Sequence, residues 1–146
     1  KASPPAYTGQ APSHTPQAMQ LKSGILNGKQ ALISLAGPAN KQGRIAADNI
    51  CGGNSHFTGS QGSSVLKLFS LTAASTGINE KAAQAAEIAY DRVVLFPASH
   101  ATYYPGAQSM AMKVLYEKES LRLLGAQIVG GDGVDKRIDV LATAIR

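Results

Sequence analysis

Aromatic side chains are scarce in this chain of 146 residues: five Tyr, three Phe and no Trp, 5% of the total. Cysteine is scarcer still, and the single Cys51 excludes both an internal disulfide framework and a CxxC redox pair. A lone cysteine fits a reducing compartment, so the expected location is the cytoplasm. Long apolar runs are missing, the mean hydropathy is −0.06, and no stretch approaches the roughly 20 apolar residues of a membrane-spanning helix. Charge is sparse at 16%. The net charge is +5, with 14 Lys and Arg against 9 Asp and Glu, and basic residues such as Lys1, Lys22, Lys29, Lys41, Arg44, Lys67, Lys81, Lys113 and Arg122 are scattered along the chain. Nucleic-acid binding calls for clustered basic residues interleaved with aromatics, and dispersed charge speaks instead for solubility. His14, His56 and His100 stand far apart with no Cys or carboxylate at ligand spacing, so no metal site is expected. Although Gly is frequent, "GGDGVDKR" matches neither GxGxxG nor GxxxxGK[ST], and its Asp132 would repel an anion.

Residues 1–16, "KASPPAYTGQAPSHTP", are too polar and proline-rich to offset the entropy of ordering and are expected to form a disordered arm. A short strand through Leu32 and Leu35 should then turn at Gly37 into a helix. Pro38 is tolerated in its first turn, and Gly52-Gly53 supplies its stop. "SSVLKLFSLTAAST" is a continuous apolar run that predicts one strand, and Asn79 is a good N-cap for the Ala-rich segment that follows. "RVVLFP" predicts a strand ended by Pro97. In "SMAMKVLYE", Met110, Met112, Val114 and Tyr116 alternate onto one face, and "EKES" turns the chain back into "LRLLGAQIVG", making an antiparallel hairpin. The period then changes: Val134, Ile138, Leu141 and Ile145 form one helical stripe after Gly133, with Asp135 where the helix dipole favours it. With no stop signal before Arg146 the C-terminus is expected to be truncated, and with Lys1 in place of an initiating Met the chain is either processed or a piece of something longer. The elements together predict an α+β fold, an antiparallel sheet covered by helices.

Three stretches carry candidate chemistry. Cys51 falls at a helix C-terminus, where the dipole disfavours the thiolate, and is expected to be buried and inert. "SLAGPANKQGR" brings unpaired backbone amides and a positive helix end to one place, which suits an electron-rich ligand atom or is an ordinary strand-to-helix turn. "PASHATYYPG" sets His100, Tyr103 and Tyr104 side by side between two turns. Such tyrosines either anchor their own loop or present hydroxyls to something else.

"LAGPANKQGRIAADNICG", "LTAASTGINEKAA", "SHATYYPGA" and "LLGAQIVGGDGVDKRIDVLATAIR", in that order, resemble the C-terminal part of the pyridine nucleotide-disulfide oxidoreductases. The likeness is to the coenzyme A-disulfide reductase and NADH oxidase or peroxidase branch and runs from about residue 26 to the end. Members of that family bind FAD and NAD(P)H in two Rossmann-like domains and end in an α+β dimerisation domain. The resemblance implies a remnant of the FAD domain over residues 17–60 and a truncated dimerisation domain over 61–146. It implies FAD contacts at Leu35, Ala36, Gly37 and Pro38, a homodimer, and Tyr103 reaching the redox cysteine of the partner subunit. It also implies a parent enzyme acting on a disulfide, persulfide or peroxide. The chain departs from the family at Gln17, where a ribityl-binding Asp is expected, and in lacking the redox cysteine, so alone it should be catalytically silent. The rival from another class is a stand-alone interaction module without redox activity, binding through its sheet and the Met110/Met112 face. A weaker third is a basic nucleic-acid binder.

Overall fold

A computed structural model describes residues 20–22 and 30–145. The expected arm, Gln17 and the chain end at Arg146 lie outside the described residues. Strands β1 (Gln20–Lys22) and β2 (Gln30–Leu32) pair antiparallel. The expected strand therefore stops at Leu32, and Leu35 becomes the N-cap of α1 (Ala36–Ile50). The helix ends as its glycines dictate. Gly52, at φ 93°, and Gly53 donate back to Asn49 and Asp48 at 3.1 and 2.8 Å, the paired bonds that close a helix through a left-handed glycine.

The apolar run read as one strand is a hairpin, β3 (Ser64–Leu68) and β4 (Leu71–Gly77). Phe69 and Ser70 form its two-residue turn, with Phe69 at φ 54°. Tight hairpin turns call for this left-handed backbone and normally take Gly or Asn there. A phenylalanine hides the turn from inspection of the sequence. Helix α2 (Glu80–Ala85) starts at Asn79, whose side chain accepts the Ala82 amide at 2.9 Å, as the capping rule expects. Strands β5 (Tyr90–Leu95), β6 (Ala111–Glu117) and β7 (Leu123–Gly130) and helix α3 (Val134–Ala144) complete the fold.

The strands make a five-stranded antiparallel sheet in the order β3-β4-β7-β6-β5, so the expected α+β architecture is the observed one. Partners across a ladder share a face, and Ala74, Ile128 and Met112 stand in one row. Val134 and Ile138 of α3 close over that row, burying it with Met110 and Ala126, while Leu141 packs at the margin. Ile145, last of the predicted stripe, is buried too. Met110 and Met112, at 2% and 9% exposure, are therefore core, so the Met110/Met112 face is not open to a partner. Tyr116 leaves the alternation because a bulge falls between Leu115 and Tyr116. Leu115 points to the other face, where it meets Leu124 and Ala83 of α2. Beyond α2 this second face is bare: Leu66, Leu68, Leu71, Val94 and Val129 are 47–64% exposed.

Candidate functional site

The N-terminus of α1 opens into a cleft of about 900 Å³, lined by Leu35, Gly37, Pro38 and Lys41, by the 57–63 loop, and by Asp139, Ala142 and Thr143 of α3. Leu35 caps the helix with extended backbone, and no side chain serves its first turn. By helix geometry the Ala36 and Gly37 amides have no intrahelical acceptor, and Pro38 brings none to satisfy. A Cβ on Gly37 would meet no protein atom within 4 Å, so a ligand can approach the backbone there. Ala36 is exposed and is not among the lining residues; its amide is its only contribution. Of the four residues expected at FAD, the structure thus brings Leu35, Gly37 and Pro38 to one cleft.

Further parts of the cleft, and a clamp at the start of the loop that lines it, escaped sequence reading. Gln61 ties its wall together, donating to Thr76 Oγ1 at 2.8 Å and to the Ala142 carbonyl at 2.9 Å. Asn49 clamps the main chain of Ser55 from both sides, at 2.9 and 2.8 Å, where the loop leaves α1. Lys41 and Asp139 add one charge of each sign. Amide donors beside a carboxylate acceptor suit a neutral heterocycle edge or a polyol, whereas Asp139 would oppose a phosphate. "FTGSQGSS" held a legible signal in Gly59 and Gly62, both at positive φ.

The tyrosine loop is a separate feature, and Tyr103 does not line the cleft. The loop is pinched at its base. The Ser99 amide donates to the Gln108 carbonyl at 2.8 Å, Ser99 Oγ accepts the Gln108 amide at 3.1 Å, and Ala98 bridges Ser109. At its tip Tyr103 is 84% exposed and packs against Tyr104, the rings tilted by 40° with centroids 5.0 Å apart. No hydrogen bond within the described residues engages the Tyr103 hydroxyl. The tyrosines do not anchor their own loop: buried Ser99 does that work.

Elsewhere, Cys51 is exposed at the C-cap of α1 and not buried as expected, because nothing packs over that helix end. His56 and His100 are exposed, and no three metal-ligating side chains gather among the described residues. Nor is any helix among them long and apolar enough to cross a membrane. A charge cluster ties α2 to the sheet: Glu80 pairs with Lys113 at 2.7 Å and with Arg92. The Lys113 hydrogen bond first, and then that of Arg92, hold the Glu80 carboxyl below the usual carboxylate range.

The match that settles kinship is to the family model for the pyridine nucleotide-disulphide oxidoreductase dimerisation domain, over residues 63–146. The chain belongs to that family. A coenzyme A disulfide reductase of Staphylococcus epidermidis is 40% identical over 116 residues, covering 79% of this chain and 26% of the relative. Among solved structures, an NAD-dependent persulfide reductase from A. fulgidus superposes at TM-score 0.77 with 41% identity, covering 86% of this chain and 23% of that one. Reduced CoADR-RHD from Bacillus anthracis gives 0.76 at 46% identity with the same coverage. The chain thus spans about a quarter of the length of these oxidoreductases, and that quarter holds their dimerisation domain.

Proposed function

We propose that this chain is the C-terminal part of a FAD-dependent, NAD(P)H-oxidising disulfide reductase that forms the homodimer and completes the active site of the partner subunit. In this assignment residues 17–60 are the end of the FAD domain and 61–146 the dimerisation domain. The observation that carries it is the tyrosine loop: on a domain whose family role is dimerisation, Tyr103 is held out by a braced neck with its hydroxyl unengaged by the described residues. Such a hydroxyl can donate to a thiolate or a bound substrate across an interface.

The cleft at α1 fits the edge of a flavin, offering the Ala36 and Gly37 amides, open space over Gly37, and Leu35 and Pro38 as flanking apolar surface. When bound, FAD would relay two electrons from NAD(P)H to a cysteine outside this chain. The substrate class is a disulfide, persulfide or peroxide. Cys51 takes no part, since its place at the C-cap of α1 sets the thiol against the negative end of the dipole.

In the full-length enzyme, Tyr103→Phe should lower turnover of the disulfide by about a hundredfold, the scale of a lost acid-base group. Flavin reduction by NAD(P)H should be unchanged. Full turnover by Tyr103→Phe would overturn the assignment.

A further inference from the structure

The loop carrying Tyr103 leaves the sheet after β5 and returns at Met110, whose amide meets the Pro97 carbonyl at 3.0 Å. Among the described residues, nothing outside the loop holds its tip. His100 Nδ1 contacts only the neighbouring Ala101 carbonyl, and the Tyr104 amide closes a local turn onto that same carbonyl. Where the tip stands in space is therefore decided at the neck.

One side chain from a distant element grips that neck. Arg137, one turn into α3, donates through Nη2 to the carbonyls of Ala98 at 2.9 Å and Ser99 at 3.0 Å, and through Nη1 to that of Gly133 at 3.0 Å. It pairs with no carboxylate among the described residues, so the planar fork is used entirely on main chain. The approach to α3 is shaped around it. Gly133 sits at φ 82°, and a Cβ there would come within 2.9 Å of Arg137 Nη1. A Cβ on Gly131 would strike the Gln108 side chain at 1.9 Å. The firmer clearance is at Gly130, where a Cβ would fall 2.5 Å from Met110 Cβ as the loop returns to the sheet.

The geometry points to Arg137 as the positioning residue for Tyr103: it registers the base of the loop against α3 and the sheet core, and thereby sets where the tyrosine hydroxyl is offered. Its consequence for catalysis rests on the role proposed above for Tyr103; the grip itself does not.

Amide exchange on the chain tests the grip. Arg137→Lys keeps charge and stem but loses the planar fork. The Ser99 and Gln108 amides should then exchange about tenfold faster, while the β6–β7 ladder exchanges as before. Added ethylguanidinium should restore their protection in Arg137→Ala, and should that variant fail to fold, Arg137→Lys decides alone. Unchanged neck exchange, or equal acceleration in the ladder, overturns the assignment whatever Tyr103 does. In the full-length enzyme, Arg137→Lys should lower kcat for the disulfide while KM for NAD(P)H and the rate of flavin reduction stay put. Faster neck exchange with a fully active Tyr103→Phe enzyme keeps the grip and removes only the tyrosine's role. A Tyr103-dependent enzyme indifferent to Arg137→Lys overturns the positioning.

Discussion

Gly125 shows how much one missing methyl decides. It lies in β7 where the chain entering α2 crosses, and a Cβ there would fall 2.0 Å from the Ile78 carbonyl oxygen. That neighbour is main chain, held by the Ile78 amide bonding the Leu124 carbonyl at 3.0 Å, so it cannot swing away. Gly125→Ala should cost about 3 kcal/mol or more, the upper end of overpacking penalties. Urea unfolding would measure it, and an unchanged midpoint would mean the crossing is looser than described. Residue roles of this kind were illegible in the sequence, because the clash involves a partner far along the chain. The Val134, Ile138, Leu141 and Ile145 stripe was legible, because helical spacing alone puts those side chains on one line. Tyr103 falls between: its exposure was readable from the turn residues around it, whereas Arg137 gave no local sign of its target.

At the scale of elements, α2 is a short helix held at its N-terminal end. Asn79 caps it, and Glu80 in its first turn reaches Lys113 of β6 and Arg92 of β5. Because Glu80 titrates lower in the folded chain than in the unfolded one, the stability it lends is complete above the unfolded-state value and drains away as pH falls through the lowered one. Glu80→Gln should therefore be less stable than the wild type near neutrality, and the gap should close on acidification below the ordinary glutamate range. Thermal unfolding of both proteins between neutral and acid pH checks this, and a gap constant down to low pH would rule out the linkage. The cap was legible in the sequence, but the ion pairs, which need two other strands in register, were not. The β3–β4 hairpin was missed for a different reason: its turn uses Phe69 where turn chemistry leads one to look for glycine or asparagine.

For the whole molecule the decisive feature is unequal cover. On one face α3 covers the central strands, with only the edge residues Val65, Val93 and Leu95 left 41–50% exposed, while the other face is covered only at the α2 end, leaving Leu66, Leu68, Leu71, Val94 and Val129 open. A contiguous apolar surface of this kind marks an interaction site, and in the proposed reading a second copy covers it. Sedimentation of the chain should show concentration-dependent self-association. Leu66→Asp combined with Val129→Asp should weaken that association at least tenfold, since each charge would have to be desolvated, with the far-UV spectrum unchanged. Undiminished association in the double variant would move the interface elsewhere on the domain.

The sequence by itself determined what neighbours along the chain can encode: the helical stripe of α3, the caps at Asn79 and Gly52, the β6–β7 hairpin, and the ordered motifs that mark the family. Only the tertiary structure decided the strand order, the inward turn of Met110 and Met112, and the assembly of the cleft at α1. It alone revealed the grip of Arg137 on the tyrosine loop. The reason is separation. Gln61 meets Ala142 across 81 positions and Arg137 meets Ala98 across 39, and no local period or turn preference reaches that far. Such contacts exist only once the sheet has paired and α3 has closed over it.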